Sequence, residues 1–178
     1  MDKQEFFLLI PAIIYGVAIV DLLKIFNHRK GYIEIVGWGI YVIIGVIFSW
    51  TELFSKLNQI TNDNISFFFI IFQAILFARA AALITPEVKD TDTKEYFMRI
   101  RKRFFWLTSI IAVYGMLLQY FVYDDHVVMW FRPLLIVIYL TAAYSNKYWL
   151  RLSLLALTLV LSILRVFTGS LTDLLNVV

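Results

Sequence analysis

Apolar residues in this chain come in long unbroken runs separated by short polar stretches. The segment FFFIIFQAILFARAAALI, residues 67–84, is interrupted only by Gln73 and Arg79. A helix that crosses a bilayer needs about 20 mostly apolar residues. Six segments meet or approach that length: roughly 5–26, 32–50, 66–84, 104–123, 129–145 and 147–168. The fifth is the shortest and has Arg132-Pro133 near its start, and Ser145-Asn146 is the obvious turn before the sixth. Membrane-spanning strands would alternate apolar and polar residues, and these runs do not. The pattern predicts an all-α polytopic integral membrane protein, a bundle of six transmembrane helices forming a single transmembrane domain over residues 1–178. MDKQE, with two acids before the first run and no small-residue cleavage site after it, is read as leading into the first membrane helix and not as a signal peptide.

The polar stretches add detail. Residues 51–65 form an Asn-rich loop, and 85–103 the one sizeable linker. Thr85-Pro86 ends the third helix, because proline has no N–H to continue the ladder. Asp92 with Glu95 three residues on reads as a capping pair. The helix it starts near residue 93 runs straight into the fourth span, to about 123. The last nine residues, SLTDLLNVV, read as a short interfacial helix or docking tail.

Composition agrees with the threading. The chain is 61% hydrophobic and 16% charged, against about 25% charged in soluble domains. Basic residues cluster in alternate loops. Lys24, Arg29 and Lys30 follow the first span; Lys89, Lys94, Arg99, Arg101, Lys102 and Arg103 follow the third; Lys147 and Arg151 follow the fifth. The opposite side has only Lys3, Lys56, Arg132 and Arg165. The positive-inside rule puts loops 1, 3 and 5 in the cytoplasm and both termini outside, as in a bacterial inner membrane. Arg99, Arg101, Lys102 and Arg103 then meet anionic headgroups, either as an ordinary anchor or as a regulated lipid or partner contact. The net charge of +3 is spent beside hydrophobic runs and is no nucleic-acid signature.

Cysteine is absent, which removes disulfides, thiolate metal sites and a cysteine nucleophile. The two histidines, His28 and His126, fall in short loops, so neither a metal site nor a cofactor is expected. No glycine-rich phosphate loop, zinc-protease or serine-hydrolase motif occurs. Ala12–Gly16, Ala74–Ala78 and Ala78–Ala82 have the spacing that lets helices approach closely, within one chain or between copies in a homo-oligomer. Trp38, Trp50, Trp106, Trp130 and Trp149 fall near helix ends and read as an interfacial belt.

Charges inside a bilayer are costly and deserve suspicion of function. Asp21, Glu34, Arg79 and Arg151 share a depth within roughly 3–8 Å of the inner boundary, at 1.5 Å per residue. The expectation is that Arg79 is tolerated because Asp21, Glu34 or both face it. The cluster then forms a polar cavity for an ion or anionic solute, or a structural clamp. Alternatively, Arg79 snorkels to the headgroups. A second polar set, Glu52, Gln119, Asp124, Asp125, Arg132 and Arg165, lies at the outer end, where a local Asp–Arg pair around Arg132 is the simplest account. Gln73 is the main strongly polar residue near mid-membrane. No continuous polar line joins the two sets, which counts against a pore in one protomer.

Three classes of function remain. The preferred one is an ion or small-solute channel or transporter with a charged cytoplasmic-side cavity. The alternative is a non-catalytic subunit or scaffold of a larger membrane complex. An intramembrane enzyme, with Asp21 and Glu34 as an acid/base pair and Arg79 holding a phosphate or carboxylate, comes third.

Overall fold

The computed structural model describes residues 3–27, 32–55, 57, 64–87, 92–123 and 131–175, with side chains at 8–26, 32–55, 57, 65–87, 92–123 and 131–164. The described residues form six α-helices: α1 (Lys3–Leu23), continued by a 3-10 turn at Lys24–Asn27, α2 (Ile33–Ser55), α3 (Asn64–Ile84), α4 (Thr93–Phe121), α5 (Phe131–Tyr144) and α6 (Tyr148–Leu175). Successive helices run up and down the bundle. One end carries Glu34 and the other Glu52, and they serve below as its two poles.

Local chemistry sets several boundaries. Asp92 caps α4 as expected: its carboxylate accepts from the backbone N–H of Lys94 at 2.9 Å and of Glu95 at 3.3 Å. Pro133 sits in the first turn of α5, where its missing N–H is harmless. The α5–α6 turn is as short as expected, with Lys147 N–H donating to the Ser145 hydroxyl at 3.2 Å. The separate tail is corrected: α6 runs on through Gly169 to Leu175, since one glycine costs a helix only about 1 kcal/mol.

One hydrophobic core draws on all six helices, with Leu22, Ile35, Trp38, Ala80, Ala81, Phe97, Phe104, Phe105, Ala142, Ala143 and Leu155 among its members. α2 packs against α1, α3, α4 and α6. Close approach comes from its glycines. A Cβ on Gly37 would strike Leu155 of α6, one on Gly39 would meet Ile25, and one on Gly45 would press on Phe77 of α3. The Ala12–Gly16 spacing does not work this way, because Gly16 faces open space. Trp38 also departs from the expected belt. It is fully buried at the centre, while Trp106 and Trp149 are exposed.

The outside of the bundle is apolar. Leu9, Ile13, Val17 and Val20 make an exposed stripe on α1, and Leu157, Val160, Ile163 and Leu164 make one on α6. Such faces would drive a water-soluble bundle to aggregate. The spans Leu8–Phe26, Ile33–Ser55, Ile65–Ile84 and Thr93–Phe121 are each long and apolar enough to cross a membrane. In α5 and α6 the stretches Phe131–Tyr144 and Tyr148–Leu164 are apolar too, the second being the part of α6 whose side chains are described. At 14 residues α5 is about 21 Å long.

Candidate functional site

At the Glu34 pole the expected four-residue cluster separates into three parts. Glu34, in the first turn of α2, and Arg151, in the first turn of α6, make a two-pronged ion pair. Arg151 Nη2 donates to Oε1 and Nε to Oε2, both at 2.8 Å. Both residues are buried. The Tyr32 hydroxyl adds a third bond to Glu34 Oε1 at 2.6 Å. Burial, with the Glu34 carboxylate beside it, pushes the Tyr32 phenol up to about 12 and keeps it a donor. The carbonyl of Ser145, just past the end of α5, accepts from Arg151 Nη1 at 3.1 Å and from Arg101 Nη1 at 2.8 Å. Arg101, grouped by the sequence with Arg99, Lys102 and Arg103 as a basic belt for anionic headgroups, is buried here and also donates to Asn146 Oδ1 at 3.3 Å. The partial negative charge of a helix C-terminus favours both guanidinium groups.

Asp21 and Arg79 stay out of this arrangement. Asp21 pairs with Lys24 one turn along its own helix, at 2.5 Å. Arg79 is exposed on α3 and meets no carboxylate among the described residues. The reason is helical phase. Ile70, Gln73, Ala74, Phe77, Ala81 and Ile84 mark the buried face of α3, whereas Arg79 follows exposed Phe72 and Ile75 at spacings of seven and four. Neither Arg79 nor Asp21 is among the residues that line the cavity described below.

The Glu52 pole carries the more open site. Arg132, in the first turn of α5, donates from Nε to Gln119 Oε1 at 2.9 Å, and Gln119 Nε2 donates to Glu52 Oε1 at 3.3 Å. Gln119 is fully buried and bridges the carboxylate of α2 to the guanidinium of α5. Gly115, one turn before Gln119, makes room: a Cβ there would collide with the Arg132 guanidinium. Asp124 and Asp125, and the side chain of Arg165, lie outside the described residues, so the expected local Asp–Arg pair does too.

From this mouth a cavity of about 70 Å³ runs into the bundle. That is room for a handful of waters and far below the roughly 300 Å³ of sites for drug-sized ligands. Its polar wall comprises Glu52, Ser49 and Tyr41 of α2, Gln73 of α3, Thr108 of α4, Arg132 and Tyr139 of α5, and Ser162 of α6. None of Asp21, Glu34, Arg79 and Arg151 lines this cavity. The Tyr15 hydroxyl reaches Gln73 Oε1 at 3.5 Å, so Gln73 has the neighbouring-helix partner its mid-helix position called for. At the inner limit the hydroxyls of Tyr41 and Tyr139 are hydrogen-bonded to each other. Beyond them lies an aromatic layer. Trp38 meets Phe105 edge to face at 4.8 Å and Phe104 at 6.5 Å, and its Nε1–H has no acceptor among the described residues.

The sequence reading missed one alignment. Glu34, Trp38, Tyr41, Gly45, Ser49 and Glu52 recur every three or four residues along α2, so one face carries a carboxylate near each end. The signal was present in the spacing. It was hidden because Trp and Tyr were counted with the apolar and interfacial residues and not as hydrogen-bonding groups.

Fold and site together define a helical bundle of membrane type, apolar outside, with a hydrophobic core that carries a few buried polar groups. Comparison with protein-family models, curated proteins and solved structures finds no match to this chain.

Proposed function

We propose that this is a six-span membrane protein that passes a small ion or polar solute, with loops 1, 3 and 5 cytoplasmic and the Glu52 pole facing outward. The carrying observation is the cavity walled by Glu52, Gln73, Arg132 and the hydroxyls of α2, α4, α5 and α6. An acid, a guanidinium and several hydroxyls each cost free energy to bury, and here they share an otherwise apolar space with room for water, unlike the Glu34–Arg151 pair, whose charges meet directly. The eleven basic residues in or beside alternate loops support the orientation. The Glu34–Arg151 pair acts here as a clamp that closes the inner end.

The test is flux into liposomes holding the purified protein. Protein-dependent flux that falls in Glu52→Gln and Arg132→Gln, and persists in Arg79→Ala, supports the reading. Failure of every common small ion and polar solute to pass sinks it. One observation favours a second reading, a non-catalytic membrane subunit. The clamp is buried, and the apolar stripe of α6 is exposed, where a partner helix could pack. Copurification of a stoichiometric membrane partner, with no flux, selects that reading.

A further inference from the structure

We infer that the species handled by this cavity is the proton, loaded at Glu52 and relayed along the inward face of α2; the inference rests on the transport reading above. Three observations carry it. First, a cavity of about 70 Å³ admits a handful of waters and no organic solute of ordinary size. Second, among the described residues of the wall the carboxylate of Glu52 is joined to the guanidinium of Arg132 through Gln119. Neither charge stands in a cluster of its own sign, and no group of acids and histidines fit for a metal exists among the described residues. A proton in water needs only groups that both accept and donate hydrogen bonds. Third, such groups run inward from Glu52. Ser49 comes next on α2, then the hydrogen-bonded hydroxyls of Tyr41 and Tyr139, with Thr108 and Ser162 beside them.

The groups turned toward Glu52 are Tyr15 of α1, Gln73 of α3, Gln119 of α4 with Tyr123 at its end, Arg132 of α5 and Ser162 of α6. Glu52 takes a proton from outside water and becomes the neutral acid. It returns to the carboxylate by giving that proton to a cavity water. Each water or hydroxyl further in gains one proton and releases another, so nothing is consumed and no electrons move. Tyr41 and Glu34 are seven residues apart, about 10 Å along α2. This is the narrow step. Trp38 cannot relay a proton, because an indole N–H only donates. Its Nε1–H, which has no acceptor among the described residues, is the donor that a water crossing this step would meet, and Glu34 then gains one proton and releases one to water at its own end of the bundle.

The test uses the full chain in liposomes loaded with a pH-sensitive dye, with potassium and valinomycin fixing the voltage. Wild type is expected to collapse an imposed pH gradient faster than empty vesicles. Glu52→Gln is expected to slow this on the order of a hundredfold, the usual contribution of a positioned proton-transfer group. Tyr139→Phe, which keeps the packing and deletes one hydroxyl, slows it too, and Arg79→Ala does not. Should Glu52→Gln not fold, as judged by its elution and thermal midpoint in detergent, Tyr139→Phe decides alone. Proton flux indifferent to the folded variants overturns the inference. Passage of chloride, sodium or a neutral solute without protons overturns it and leaves the transport reading standing, whereas no flux of any species removes both.

Discussion

Glu34 and Arg151 form the contact whose halves depend most on each other. Arg151→Met strands a carboxylate in a dry interior and is expected to cost about 3–5 kcal/mol, whereas Glu34→Leu with Arg151→Met recovers most of it. Chemical unfolding in detergent checks both. Arg79→Leu, on the exposed face of α3, is expected to stay within about 0.5 kcal/mol of wild type in the same assay. Gly115→Ala would ordinarily stabilise a helix by about 1 kcal/mol. Here the added methyl evicts the Arg132 guanidinium and breaks its bond to Gln119, so the expectation is a loss of about 1–3 kcal/mol, read as a lower thermal midpoint. Tyr32 sets a pH limit. Its phenol is pushed up to about 12, so its contribution is complete below the ordinary phenol value near 10 and lost as pH rises from there toward 12. A pH series of unfolding midpoints, with Tyr32→Phe as control, isolates that fall.

Among the helices, α4 was the most legible in advance. Asp92, Glu95 and the preceding proline marked its start, and the carboxylate of Asp92 caps it. Asp92→Ala is expected to cost about 1 kcal/mol and to speed hydrogen exchange in the first turn of α4. The partners of the charged residues were far less legible. Depth along each span followed from counting, and Glu34 and Arg151 do lie at one level. Which helix neighbours which does not follow from counting, so Arg79 was matched with acids that its own phase turns it away from. That phase could have been read from exposed Phe72 and Ile75 against buried Gln73, Ala74 and Phe77. The bond from Arg101 to the Ser145 carbonyl was hidden for a related reason: nothing in a basic run says which of its members a neighbouring turn will supply with an acceptor.

As a whole the molecule keeps apolar stripes outside and a hydrophobic core inside, with a line of polar groups along one face of α2. Gly37, Gly39 and Gly45 let Leu155 of α6, Ile25 of the turn after α1 and Phe77 of α3 close on that helix. The proposed transport draws its support from this arrangement. Glu52→Gln and Tyr139→Phe should impair flux while leaving the unfolding midpoint near wild type, and Arg151→Met should do the reverse of that pattern, lowering the midpoint first.

The outward stripes of α1 and α6 have a consequence for how the protein must be handled. With Leu9, Ile13, Val17 and Val20 on one flank and Leu157, Val160, Ile163 and Leu164 on another, copies stripped of amphiphile should stick to one another through these flanks. Dilution below the critical micelle concentration is therefore expected to precipitate the protein, and a nanodisc to keep it dispersed.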